Sequence, residues 1–401
     1  MLRKSIYIRR NRVTLSLFLV IMGITIILVS ELCLYIGLSN SALLSGLQKT
    51  IVYAFIFIGF LLACTKKHSK IENVGQILML FTLFTVISTY FGVMPDIPFW
   101  RQVIHLMLFA SVFGTVYIAT EQFGRTGSVG ITKFSYILIA FIYLYAFITG
   151  KKIEGNIVYY LLMFLPLTSM ISSNLIRKFL YLLQGFVVLM SNKRTALIAF
   201  VCYSLCSEWM NNKKTTGRKK IFKGFAYILI VIVLYITFPV ICRKLGITVF
   251  NELEVSHIAE DGGSNRLFIY GQLWSAQKNA DWLHWGIGSG YNSVLLSKIC
   301  TDGVLGGYVS AHNDFLEVLY DYGIAGLVSY ISFFVCMIKK AIKMKKDEYQ
   351  YVVPFIASLL MVLSISLTSH LIIYLNYYAL IFVFWALCLA DYRYGEGNVR
   401  K

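Results

Sequence analysis

Residues Trp285 to Leu327 read WGIGSGYNSVLLSKICTDGVLGGYVSAHNDFLEVLYDYGIAGL, a polar, glycine-studded passage that runs directly into an apolar helix. It carries one histidine, His312, and the carboxylates Asp314, Glu317 and Asp321. Around it the chain is almost continuously apolar. Of 401 residues, 58% are hydrophobic and 14% charged, which excludes an ordinary globular domain. The apolar runs have the length of membrane-crossing helices and lack the two-residue alternation of a lipid-facing barrel strand. Ionisable groups at the membrane boundary of such a chain are costly to bury and point to function.

Windows of about 15–24 apolar residues predict spans over 13–36, 43–64, 74–94, 102–120, 131–149, 156–172, 177–190, 195–210, 222–241, 314–338, 351–370 and 372–390. The first is too long for a signal peptide and lacks a small-residue cleavage site. The expected fold is an all-α polytopic membrane protein of about 12 transmembrane helices with one large external loop. Residues 1–241 form an N-terminal bundle, 242–313 the extracytoplasmic loop, and 314–401 the last helices and a cytoplasmic tail.

The formal charge of +18 comes from 37 Lys and Arg against 19 Asp and Glu. These cations alternate with the spans. With the N-terminus inside, MLRKSIYIRRNR, TKKHSK, EQFGRTGSVGITK, SNLIRK, NNKKTTGRKK, KKAIKMKK and DYRYGEGNVRK hold about two-thirds of them, as the positive-inside rule requires. The expected location is the cytoplasmic membrane, with both termini cytoplasmic. No basic soluble domain remains to bind nucleic acid. Most of the eight cysteines fall inside spans, but Cys242 and Cys300 both lie on the expected outer side and are open to a disulfide.

Loops between spans are short except 242–313, which is too long for a connector and is expected to carry function. Within it, NRLFIYGQLWSAQKN (Asn265 to Asn279) repeats Leu267, Tyr270, Trp274 and Gln277 at three to four residues and reads as an amphipathic helix that lies against the membrane surface or caps the bundle. GIGSGY (Gly286 to Tyr291) has no strand-loop-helix frame, which favours tight turns over a nucleotide site. Asn313 or Asp314 caps the following helix. Asp314, Glu317 and Asp321 share one of its faces, at a solvated mouth or in a water-filled cavity.

A neutral imidazole suits proton abstraction from a hydroxyl near pH 7. His312 competes for that part with His257, His284 and His370. SNKRTALIAF (Ser191 to Phe200) sets Lys193 and Arg194 on the outer side, against the charge trend. Arg194 either snorkels to lipid headgroups or binds a phosphate through its planar fork of donors. Arg266 is a second outer arginine, and the two suggest an anionic lipid pyrophosphate.

In their order these features resemble the O-antigen polymerase and O-antigen ligase superfamily of bacterial envelope glycosyltransferases. The features are Arg194 opening a span, an outer loop with Asn265-Arg266 and Trp274, then GIGSGY, then HNDFLEVLYDYGIAGL. The resemblance covers about residues 180–340, and its most specific part is H-N-x-x-L-x-x-L-x-[DE]-x-G-x-x-G-L. The chain departs in having Asp321 where Glu is common, and SNKR where Ser and Arg often adjoin.

The resemblance implies a Wzy-type enzyme, similar to C-type glycosyltransferases, that works on the outer membrane face without metal or cofactor. It would transfer the growing glycan from undecaprenyl pyrophosphate to the non-reducing-end hydroxyl of a lipid-linked repeat unit. A ligase that moves glycan onto lipid A core, protein or wall polymer is the alternative within the superfamily. By position, Arg194 and Arg266 would bind pyrophosphate and His312 would activate the acceptor. Lys193, Asn313, Asp314, Glu317 and Tyr291 are the expected substrate-binding neighbours; Tyr291, Tyr308, Trp282 and Trp285 either stack on sugars or belong to an interfacial aromatic belt. The carboxylates are equally suited to orienting the imidazole or capping the helix. The family also suggests a chain-length regulator and a flippase as companions. A flippase reading of the chain itself would call for repeated halves and short loops, against which the 242–313 segment stands.

Overall fold

Helices dominate the computed structural model, which describes residues 61, 73–92, 102–103, 107–123, 157–171, 173–191, 193–211, 237, 240–241, 243–244, 265–301, 307–373 and 375–399. In chain order they are α1 (Asn73–Phe91), α2 (Leu108–Phe123), α3 (Ile157–Thr168), α4 (Asn174–Met190), α5 (Arg194–Asn211), α6 (Arg266–Lys278), α7 (Trp282–Ile287), α8 (Ser293–Leu296), α9 (Asp314–Lys346), α10 (Val352–Thr368) and α11 (Leu375–Val399). One small exception departs from the all-α expectation. Strands β1 (Cys300–Thr301) and β2 (Tyr308–Val309) form a two-residue antiparallel ladder that pairs Cys300 with Val309.

Eight of the twelve expected spans coincide with helices; 13–36, 131–149 and most of 43–64 and 222–241 lie outside the described residues. Among the described residues, α1 and α9 are long and apolar enough to cross a membrane, by length and composition. Among the described residues, the expected span 156–172 contains the 12-residue α3.

The outer side of α9 shows what surrounds it. Ile324, Val328, Ile331, Val335, Ile338 and Ile342 are 42–56% exposed and follow one another at three and four residues. They form one apolar stripe about 27 Å long, which is unfavourable against water and matched to lipid. The last turn carries Lys343, Lys345 and Lys346, with Lys343 Nζ 5.7 Å from the Tyr392 ring centroid. The inner side of α9 packs on α1 and α10, α5 packs on α10, and α11 on α2 and α3. Phe333, Phe382 and Trp385 fill the centre with ring centroids 5.4–5.9 Å apart.

α9 is broken at Gly323, whose φ of 64° and ψ of −167° suit glycine alone. A Cβ there would stand 2.5 Å from the Gly286 carbonyl. The carbonyls just before the break bond to the GIGSGY loop: Ser289 N–H donates to Tyr320 O at 3.0 Å and Gly290 N–H to Asp321 O at 2.8 Å. Ser88 Oγ of α1 also donates to Asp321 O, at 2.6 Å. The glycine loop is thus the turn expected of it, and it is keyed into the break in α9.

α6 forms where its sequence predicts, and its packed face overlaps the expected stripe in part, since Tyr270 packs on the small core and Gln277 is buried. Ile269 and Leu273 join Val294, Cys300 and Ala311 in a small separate core, and Gln277 is buried with them, whereas Leu267 and Trp274 are exposed. Apolar residues stand on both sides of this helix, so their spacing does not select the packed one. Cys300 is a free thiol whose Sγ lies 3.6 Å from the Ile269 carbonyl, and burial pushes its pKa up to about 12. It is therefore not in a disulfide, and Cys242 lies outside the described residues.

Candidate functional site

Five segments meet at one end of the bundle: the starts of α5 and α6, the turn into α9, the end of α10 and the turn after it. Thr195 joins three of them. Its Oγ1 donates to Thr368 O at 3.4 Å and accepts from Arg266 Nη2 at 3.3 Å. Arg266 Nε is buried and has no partner among the described residues, so the guanidinium is held at one edge and presents a donor at another. Arg194 is half-buried at the first position of α5, and Lys193 beside it is exposed.

His312 has φ 51°, in the left-handed region that a non-glycine residue enters at a cost. Its neighbours hold that turn. Ala311 N–H donates to Glu317 Oε2 at 2.6 Å, and Tyr270 O–H to His312 O at 3.4 Å. Asn313 Oδ1 accepts from the N–H groups of Phe315 and Leu316 at 3.0 and 3.2 Å, so Asn313 is the cap of α9. Its Nδ2 donates to Leu367 O at 3.2 Å, and both ends of the side chain are engaged.

This turn brings His312 to His370, with ring centroids 4.6 Å apart and planes inclined at 38°. His370 Nδ1 lies 2.9 Å from Ser310 Oγ. Burial, then the charges of His312, Lys193 and Arg266, push His370 down to about 3. His370 is therefore a neutral imidazole at ordinary pH, inside a field of cations.

Asp314, Glu317 and Asp321 share a face, as their spacing requires, but not at a solvated helix mouth: all three are buried. Asp314 Oδ1 accepts from Leu371 and Ile372 N–H at 2.7 and 3.0 Å, and Oδ2 from Ser366 Oγ at 2.6 Å and Tyr330 O–H at 3.4 Å. Asp321 Oδ1 accepts from Ser293 N–H at 2.9 Å and Oγ at 2.6 Å, and Oδ2 from Asn292 N–H at 2.9 Å. Glu317 keeps one buried oxygen, Oε1, without a partner among the described residues. Each carboxylate thus fastens a different loop: the turn after α10, the His312 turn and the glycine loop.

The remaining expected residues are scattered. Tyr291 donates its N–H to Thr89 Oγ1 at 3.2 Å and packs half-buried on the main core beside α1, away from the His312 turn. Trp282 is 83% exposed, Tyr308 is exposed under Lys298 Nζ at 5.3 Å, and Trp285 meets Trp274 edge-on at 6.2 Å. His284 is exposed and bonded through Nδ1 to Asp281 Oδ1 at 2.7 Å; the His284 backbone N–H on the same carboxylate holds Asp281 below its ordinary pKa. His257 lies outside the described residues. The structure therefore gathers Lys193, Arg266 and His312, and adds His370, Ser310, Thr195 and Tyr270. A histidine closing an apolar run in SLTSHLII is a signal for His370; nothing in the sequence singles out Thr195 or Ser310.

Residues 179–331 match the family model described as O-antigen ligase. The match contains Lys193, Arg194, Arg266 and the His312 to Asp321 run, and it stops before His370. It bears out the resemblance read from the motifs. A comparison with curated proteins gives no match.

Proposed function

We propose that a chain matching the O-antigen ligase model over residues 179–331 is a glycosyltransferase of the polymerase and ligase kind, and that it acts as a polymerase of a bacterial surface polysaccharide. The observation that carries this reading is the meeting of two imidazoles, His312 and His370, with the cations Lys193 and Arg266 at one bundle end. The donor is the growing glycan on undecaprenyl pyrophosphate, and the acceptor is the terminal hydroxyl of a lipid-linked repeat unit. The site faces outward from the cytoplasmic membrane, with α1 and α9 among the spans.

The acceptor oxygen attacks the anomeric carbon of the donor sugar, and its proton passes to His312. The bond from that carbon to the pyrophosphate oxygen breaks, and undecaprenyl pyrophosphate leaves with the electron pair. Arg266, through its unengaged Nε, and Lys193 with Arg194 meet the developing negative charge. His370, oriented by Ser310, offers a hydrogen bond without a second positive charge. Asp314 holds the turn that carries His370, and Glu317 the turn that carries His312.

The O-antigen ligase family matched over residues 179–331 supports a ligase as the second reading. Full-length protein in vesicles with a single purified lipid-linked repeat unit separates the two. A ladder of lengths supports a polymerase. Transfer to added lipid A core, protein or wall polymer without a ladder supports a ligase, and no transfer to any acceptor rejects both.

A further inference from the structure

The opposite end of the bundle carries a cavity of about 980 Å³, between the end of α3, the first turns of α4, the later part of α5 and the residues leading into α10. Two cations line it, Arg177 and Lys178, together with Asn174, Tyr203 and Gln350, and no carboxylate is among its lining residues. Arg177 Nη2 donates to Asn174 Oδ1 at 3.0 Å, which fixes the guanidinium at the mouth.

The wall continues into an apolar surface. Leu182 lines the cavity and also belongs to a stripe of Leu175, Phe179, Leu182 and Phe186 on α4, spaced four, three and four residues apart and 55–80% exposed. Cationic groups that only decorate a membrane surface would need no hollow behind them. Here a hollow, two positive charges and a lipid-facing stripe are contiguous, which is the form of an amphiphile with an anionic head. α4 spans 17 residues from this cavity to the His312 end, about 26 Å and close to the thickness of one hydrocarbon core.

We propose that this cavity binds the phosphate headgroup of an anionic glycerophospholipid, in the leaflet opposite the His312 site, with its acyl chains along Leu175 to Phe186. The site is independent of the glycosyl-transfer reading. Two cations near a headgroup contribute about 1 kcal/mol each, equivalent to about thirtyfold in affinity.

The test is native mass spectrometry of the full-length protein in detergent, titrated with phosphatidylglycerol or phosphatidylcholine. Wild type should retain phosphatidylglycerol about thirtyfold more tightly, and the Arg177→Ala/Lys178→Ala double variant should lose that preference. An Arg177→Lys/Lys178→Arg variant keeps the charge and should keep the preference, which shows that the alanine result is not misfolding. Equal retention of the two lipids by wild type, an unchanged preference in the alanine variant, a lost preference in the charge-keeping one, or displacement by millimolar inorganic phosphate would each overturn the proposal.

Discussion

The imidazoles of His312 and His370 stand 4.6 Å apart, although one precedes α9 and the other follows α10. A proton on either ring therefore works against a proton on the other. Burial keeps the His370 ring neutral, which leaves His312 as the ring that the proposed mechanism uses as the base.

His312→Ala should cut chain extension by about 10²–10⁴-fold, the usual worth of a positioned base. His370→Ala removes one hydrogen-bonding partner and should cost about 10–100-fold. Initial rates at matched membrane levels measure both. A greater loss for His370→Ala would exchange the two roles.

Acid should weaken the fold through His370. Its ordinary pKa is near 6.5 and its folded value about 3, so between these the unfolded chain takes up a proton that the folded chain refuses. The stability from its neutral burial is complete above pH 6.5 and is lost as pH falls toward 3. The thermal midpoint of wild type should drop between pH 7.5 and pH 5, and that drop should shrink in His370→Gln. The same drop in both proteins refutes the assignment.

Arg266→Lys keeps a positive charge but loses the fork that bonds Thr195 with one nitrogen and presents another. A charged hydrogen bond contributes about 1.5–3 kcal/mol, so transfer should fall about 10–100-fold. Kinetics with varied lipid-linked donor read this out, and wild-type behaviour in the lysine variant would remove Arg266 from the pyrophosphate site.

Gly323→Ala should destabilise by at least about 1–3 kcal/mol, because its positive φ is strained for alanine and the new Cβ would stand 2.5 Å from backbone. Gly271, inside α6, has open space where its Cβ would go, and Gly271→Ala should be neutral or stabilising by about 0.5–1 kcal/mol. Thermal midpoints of the two variants give the comparison.

Apolar run length is what places helices in this chain, and the eight spans that fall on described residues reappear as helices for that reason. Asn313 as the cap and Arg266 at the head of α6 were likewise legible, since caps and periodicity are local. The partners of the carboxylates were not. Asp314 reaches Leu371 and Ile372 across two helices, and Asp321 reaches back to Asn292 and Ser293, which no spacing rule within one helix foretells. His370 is paired for the same reason: only the packing of α9 on α10 brings its turn beside His312.

Asp314 grips the backbone at Leu371 and Ile372 while its neighbour Asn313 grips Leu367. These bonds form a ruler: residues 310–314 and 367–372 must keep their lengths for both imidazoles to arrive together. A homologue that inserted or deleted one residue in either segment would have to surrender the pair. Exchanging side chains around the two rings leaves that ruler intact, whereas resizing either turn does not.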